Sequence, residues 1–343
     1  MLLRSARPSE RDQVLDLLAE WYHDRDFFAR YNHHDPAFRD DFCLVAEEGH
    51  RIAATLQIFD RQINLAGEPV RLGGIGSVYT SPSHRRQGLA SALLELAARR
   101  MVDEGFELSL LFTDRTDYYQ RFGWEAAERQ FTPLFNLASI PGSSAPDDLA
   151  LFAPGRDLAG VMEVYQEYSG RCDLTVCRDS RYWLGNLQYA GNPDEYFVVR
   201  GTATHVRAYA RAMRFFDYPM VMEYGCRPGD QASLLPLFKH LGEVANGSAR
   251  GLGSGACSAL APANPSQPTG LLVTHSAHDS KLEQGLVQAG VSLMHHSDRL
   301  YMWRVLLPER IGARLGVRPE EAQRRLIELA SSPQSLYWTA DRF

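Results

Sequence analysis

Val78-Tyr79-Thr80-Ser81-Pro82-Ser83-His84-Arg85-Arg86-Gln87-Gly88-Leu89-Ala90 passes from a strand through a basic turn into a helix. The helix spans about 88 to 102, with Leu89, Ala92, Leu93, Leu96, Ala97 and Met101 on one face. Its first-turn N–H groups lack intrahelical acceptors and sit at the positive end of the helix dipole, so the turn is a site for an anionic phosphate. Gly88 and Ala90 carry no bulk where a pyrophosphate must approach the backbone, and Arg85 and Arg86 supply positive charge. The preceding strand, 70–80, holds Gly73, Gly74 and Gly76. These glycines are expected to let it bend away from the strand at 108–112, leaving unpaired N–H and C=O groups for an amide-rich ligand such as pantetheine.

Outward from this run, helical and alternating patterns give the order strand-helix-strand-strand-strand-helix-strand-helix-strand. The segments are a strand at 1–7, a helix carrying Val14, Leu15, Leu17, Leu18, Trp21 and Tyr22, strands at 42–47, 51–59 and 70–80, the long helix, a strand at 106–112, a helix at 116–122 and a strand region at 124–137. Pro141-Gly142-Ser143-Ser144-Ala145-Pro146 reads as a linker. A second unit follows, with helices near 158–168, 231–245 and 280–289, strands near 195–200, 206–213, 218–226, 271–274 and 300–306, and Gly290 as a helix C-cap. The order strand, short helix, glycine, strand closes both units, which marks the second as a diverged copy of the first. Residues 246–270 are crowded with Gly, Ser, Ala and Pro and read as a mobile loop, and a last helix opens at Pro319-Glu320-Glu321. The expected fold is α/β with mixed sheets, in three parts: 1–138 carrying the anion turn, 139–306 as the degenerate copy, and 307–343 as a helical tail. The aromatic end Leu336-Tyr337-Trp338 should dock on protein.

The chain has 343 residues, 45% of them hydrophobic, a formal charge of −6 and no apolar run of membrane-spanning length. No nucleic-acid partner, no membrane partner and a cytoplasmic location are the expectations. Five scattered cysteines without a CxxC pair argue against disulfides and zinc. No dinucleotide fingerprint and no G-K-[ST] phosphate loop is present.

Arg85-Arg86-Gln87-Gly88-Leu89-Ala90 resembles the pyrophosphate loop R/Q-x-x-G-x-G/A of the GCN5-related N-acetyltransferase (GNAT) superfamily. Leu110-Leu111-Phe112-Thr113-Asp114, followed by Tyr118-Tyr119-Gln120-Arg121-Phe122-Gly123-Trp124, is similar to that superfamily's fifth strand and the tyrosine helix before an F-G-[FYW] turn. The resemblance implies acetyl-CoA as co-substrate, held by Val78, Tyr79, Thr80, Arg85, Arg86, Gln87, Gly88, Leu89, Ala90, Ser91, Thr113 and Asp114. It implies Tyr119, with Tyr118 beside it, as the group that protonates the leaving thiolate. The tandem units and Arg299-Leu300-Tyr301-Met302-Trp303-Arg304-Val305-Leu306 resemble the Eis-type acetyltransferases (enhanced intracellular survival). There the C-terminal carboxylate is the general base, which implies Phe343 here. Those chains usually carry a sterol-carrier-like domain after the Met-Trp-Arg strand; the stretch from Leu306 to Phe343 is too short for one, so it is expected to be absent or reduced to a helix.

The implied function is transfer of an acetyl group to a primary amine such as an aminoglycoside, polyamine or lysine. The alternatives are a non-catalytic acyl-CoA-binding regulator and an acyl-CoA hydrolase. In the second unit Arg227-Pro228-Gly229-Asp230-Gln231-Ala232 departs from the loop pattern, with an aspartate where an anion would bind; walling the acceptor pocket or assembling subunits is the expected role. Glu20, Asp24, Asp26, Asp35, Asp40 and Asp41 form either a solvated acidic face or a cation-selecting rim. His33-His34, His275, His278 and His295-His296 carry little weight as metal ligands.

Overall fold

The computed structural model describes residues 1–189, 195–202, 205–215, 218–247, 252, 260, 270–274 and 279–343. In chain order the first half contains β1 (Leu2–Ser5), α1 (Arg11–Tyr22), α2 (Arg25–His34), β2 (Cys43–Glu48), β3 (Arg51–Leu65), β4 (Glu68–Thr80), α3 (Leu89–Asp103), β5 (Leu108–Phe112), α4 (Thr116–Gln120) and β6 (Glu125–Phe135). The second half contains β7 (Leu149–Leu151), α5 (Pro154–Tyr168), α6 (Ser180–Tyr189), β8 (Tyr196–Thr202), β9 (His205–Phe215), β10 (Tyr218–Cys226), α7 (Leu234–Ala245), β11 (Leu271–Thr274), α8 (Ser280–Gln288), β12 (Ser292–Leu293) and β13 (His296–Val305). Two further helices, α9 (Pro308–Leu315) and α10 (Ala322–Ala330), precede the terminal segment. Most of the loop expected at 246–270 lies outside the described residues. Among the described residues no helix is long and apolar enough to cross a membrane.

All the main strands join one sheet in the order β1-β2-β3-β4-β5-β13-β6-β11-β10-β9-β8-β7, with β12 on the side of β6. Among the described strands only β4/β5 and β10/β11 are parallel neighbours. The last strand of the second half does not close its own sheet: Tyr301 to Val305 of β13 pair with Phe112 to Leu108 of β5. In return β6 pairs with β11, Leu134 opposite Leu271. The halves thus exchange closing strands. Met302 of β13 is buried in the first half's core beside Leu93, Met101 and Trp124. The opposite face is covered by Ile311 of α9 and Leu326 of α10, which pack with Leu72, Leu110 and Trp303. Gly123 and Gly290, which follow α4 and α8, are both left-handed at φ 83°.

Three helices have no counterpart in the periodicity reading. Asp24 caps α2 by accepting from the Phe27 N–H (2.8 Å), and Asp179 accepts from the Tyr182 N–H (2.7 Å) at the start of α6. Each is an N-cap of the usual chemistry, in front of a segment too polar or aromatic for its periodicity to stand out. Helix α9 is bracketed by Pro308 and by Gly316 at φ 67°. In α1, Val14, Leu15, Leu17 and Leu18 are buried, whereas Trp21 and Tyr22, which continue the same spacing, are 56% and 45% exposed.

The glycines of β4 act differently from the expectation. Gly73 and Gly74 remain in register with Ser109 and Leu110 of β5. A side chain at Gly73 would overlap Met101, and one at Gly74 would overlap the ring of Phe343. Divergence begins one step later: β4 and β5 pair only from Leu72 to Ile75, and Ser77 and Val78 form a bulge against β3, where Gly76 faces Gln57 and Tyr79 faces Thr55. Ser77 is left-handed there, φ 52°. A bulge bends and twists its strand, and this one carries the end of β4 away from β5.

Because each half lends the other a strand, the two should unfold as one unit. Hydrogen–deuterium exchange in mild denaturant should give the slowest amides of β5 and β10 the same opening free energy. A first half that opens well before the second would contradict this.

Candidate active site

A cavity of about 990 Å³ opens where β4 and β5 part. Val78, Tyr79, Thr80, Arg85, Arg86, Gly88, Leu89, Ala90, Ser91, Thr113, Asp114, Tyr119 and Phe343 all line it. Gln87 is the exception among the implied residues, since its side-chain amide turns back to the Ser83 carbonyl (3.4 Å). Sequence reasoning missed Trp21 and Tyr22 from the end of α1, and Phe112, Arg115 and Arg342, which also line it. The one available signal for Trp21 and Tyr22 was two large aromatics at the end of an amphipathic helix, which read equally well as core.

The turn into α3 has the backbone its sequence calls for. Arg86 (φ 62°) and Gly88 (φ 78°) are both left-handed, so the chain reverses sharply before the helix. Nothing lies within 4 Å of where a Gly88 side chain would project, so glycine answers the dihedral angle and leaves the approach open. The first helical bond runs from the Ala92 N–H to the Gly88 carbonyl (2.9 Å), so by helix geometry the N–H groups of Leu89, Ala90 and Ser91 have no intrahelical acceptor. No acidic residue occupies this first turn. Arg85 donates to the Thr80 carbonyl (3.2 Å) and to the Tyr79 hydroxyl (3.5 Å), and its guanidinium lies 5.8 Å from the Trp21 ring centroid. With His84, Arg86, Arg115 and Arg342 also on the wall and Asp114 as the only acidic side chain lining it among the described residues, the cavity suits a polyanion.

Tyr118 and Tyr119 differ. The Tyr118 hydroxyl is tied to the Ser91 hydroxyl (3.1 Å). Tyr119 packs edge-on against the Tyr118 ring, centroids 5.0 Å apart. Burial, with Tyr118 and Tyr22 nearby, pushes the Tyr119 phenol up to about 12, so it stays protonated through neutral pH. Across the cavity the Phe343 ring stacks on Phe59 (5.1 Å, 23°) and packs on Phe112 (4.9 Å). A side chain at Gly76 would come within 3.4 Å of the Phe343 main-chain oxygen, so the Phe343 carbonyl group borders the parted end of β4.

Of the six acidic residues read as a face or a rim, three are held by arginines. Asp35 is buried against Arg61 (2.9 Å), Asp40 pairs with Arg11 (2.8 Å), and Asp41 pairs with Arg39 (2.6 Å) and Arg100 (3.0 Å). Asp24 is the cap of α2. Only Glu20 reaches a wall residue, accepting from the Tyr79 hydroxyl (3.3 Å). His33 and His34 meet edge to face, and among the described residues no group of three or more His, Cys, Asp or Glu is placed to hold a metal. His275 and His278 lie outside the described residues. In the second half Asp230 pairs with Arg207 (2.9 Å).

Residues 3–127 match the family model of the acetyltransferase (GNAT) domain. They form a GNAT acetyltransferase domain, and the chain as a whole has the fold of the Eis-type members of that family. It is similar to the N-acetyltransferase Eis of Mycobacterium tuberculosis (strain ATCC 25177 / H37Ra), 23% identical over 147 residues, which is 40% of this chain and 36% of the relative. The matched stretch is therefore little more than a third of that relative's length. Two solved structures share the fold over nearly the whole chain. The GCN5-related N-acetyltransferase of Kribbella flavida has TM-score 0.64 and 18% identity, covering 91% of this chain and 73% of that one. Eis1 of Mycobacterium abscessus has TM-score 0.58 and 14% identity, covering 91% and 75%.

Gly88→Val should weaken CoA binding roughly tenfold or more, because it forces a β-branched residue into a left-handed turn and fills the anion approach. Gln87→Ala should leave binding unchanged. Calorimetric titration of both variants with CoA checks this, and a Gln87 effect as large as that of Gly88 would count against the geometry.

Proposed function

We propose that this chain is an N-acetyltransferase that moves an acetyl group from acetyl-CoA to a primary amine within a ternary complex. The observation that carries this reading is a single cavity bordered at once by the Phe343 carbonyl group, Tyr119, the parted end of β4 and the basic turn before α3. In this reading the pyrophosphate sits at the N–H groups that open α3, with Arg85 and Arg86 beside it. The amide-rich pantetheine runs along residues 78–80, whose main chain faces no strand on the β5 side.

The incoming ammonium loses a proton to the Phe343 carboxylate or to a water that it holds, and the free amine attacks the thioester carbonyl. A backbone N–H of residues 78–80 supports the oxygen as it gains charge. Collapse breaks the C–S bond and expels the thiolate, and the nitrogen sheds its surplus proton to leave the neutral amide, that proton or one from water going on to the sulfur. Tyr119 donates a hydrogen bond to the departing sulfur. A phenol near 12 is a weaker acid than a thiol near ~8.5, so this bond stabilises the thiolate as it forms, and net protonation of the sulfur follows.

The acceptor class is proposed as a primary amine of the aminoglycoside, polyamine or lysine kind. Thiol release measured with a panel of these compounds tests it, and amine-independent release would point to hydrolysis instead.

Tyr119→Phe should lower kcat by roughly 100-fold with acetyl-CoA affinity unchanged, in the range found when one hydrogen-bond donor to developing negative charge is removed. The wild-type profile of kcat against pH should show no descending limb from this phenol through the neutral and mildly alkaline range. An unimpaired Tyr119→Phe enzyme would remove Tyr119 from the mechanism. Residues appended after Phe343 convert its carboxylate to an amide and should abolish turnover while CoA still binds; a fully active fusion would exclude the terminal base.

A further inference from the structure

We propose that Arg178 and Asp341 are positioning residues: a buried ion-pair cluster in the second half holds the chain's last residues so that the Phe343 carboxyl group stays in the first half's cavity. The inference rests on the reading of Phe343 as base.

Arg178 lies between α5 and α6, and its guanidinium is divided between two carboxylates. Nε and Nη2 donate to Asp341 (2.9 and 2.7 Å), and Nη1 and Nη2 donate to Glu223 of β10 (3.0 and 2.7 Å). The side chains of all three are fully withdrawn from solvent. Glu223 also accepts from the Tyr209 hydroxyl (2.6 Å) and from Arg211 (3.4 Å), so it is set rigidly on the second half's sheet. Asp341 accepts from the Tyr182 hydroxyl (2.9 Å). Its carbonyl accepts from the Tyr337 hydroxyl (3.1 Å), and the Ala340 carbonyl accepts from the Asn186 amide (2.9 Å). Only Arg342 separates this clamp from Phe343. Two residues of chain reach no further than about 7 Å, so fixing Asp341 confines the terminal carboxyl group to the neighbourhood of Gly76.

Tail adhesion alone does not call for such a clamp. Leu336, Tyr337 and Trp338 are already buried, and the Trp338 indole donates to Ser169 (2.9 Å). Burying charges costs desolvation that an apolar end would avoid, so an ion pair in such a place is better explained by the geometry it enforces than by adhesion. The cluster also gives the second half a task that needs no ligand of its own.

Asp341→Asn is the informative variant, because Arg178 keeps Glu223 as a partner and the fold retains a neutral pair. Arg178→Met would strand two carboxylates together. Tyr182→Phe removes one hydrogen bond to Asp341 and serves as a milder second variant. The full-length proteins are compared under native conditions for release of free phenylalanine by carboxypeptidase A, and for kcat and KM.

In Asp341→Asn phenylalanine release should accelerate and kcat should fall roughly 10- to 100-fold, as for a reacting group displaced by about an ångström, while KM for acetyl-CoA holds. Tyr182→Phe should move both in the same direction by less. Release and kcat both at wild-type values overturn the proposal, and so does a fall in kcat without faster release. If release accelerates and kcat stands, the clamp is upheld and the terminal base is at fault; activity retained when residues are appended after Phe343 would say the same independently.

Discussion

The cavity depends on where β4 stops pairing with β5. One extra residue at Ser77–Val78, accommodated against Leu56 of β3, bends the last part of the strand away from β5 while Tyr79 and Thr80 stay paired with β3. Main-chain groups that would otherwise bond to β5 then face open space, and the turn that follows brings the start of α3 to the same opening. A straight β4 would close this gap and leave the basic turn as an exposed corner. Backbone polar groups seldom go unpartnered when buried in a folded protein, so this strand end stays open only because it borders the cavity.

The second constraint is reciprocal. β13 fills the place next to β5, and β6 fills the place next to β11, so neither half has a complete sheet of its own. The tail continues this interdependence, since it is held by Arg178 and Glu223 and ends between Phe59 and Phe112. A half that has lost its phosphate-binding pattern can still be required for chemistry if it sets the position of a group in the other half.

What could be read in the sequence was what depends on neighbours along the chain. The 85–90 turn, its helix and the tyrosine pair are local patterns, and their backbone and spacing carry over directly. Strand exchange was not legible, because alternation at 300–306 marks a strand without naming its partner. Gly73 and Gly74 were read as points of bending because glycine in a strand has several uses; here Met101 and Phe343 occupy the space, and both come from elsewhere in the chain. The partners of the acidic group were hidden for the same reason: the arginines that neutralise Asp35 and Asp41 include Arg61 and Arg100, far along the sequence. Helices α2 and α6 had capping aspartates in view, but their polar and aromatic composition hid the apolar stripe.

The strand exchange also governs the order in which the protein can be built. Synthesis delivers β5 long before β13, and until β13 emerges the register from Leu108 to Phe112 has no partner on that side. The first half's core likewise lacks Met302 until then. A nascent chain must therefore carry an open, apolar strand edge through most of translation. Pairings so distant in sequence are slow to form and expose intermediates to aggregation.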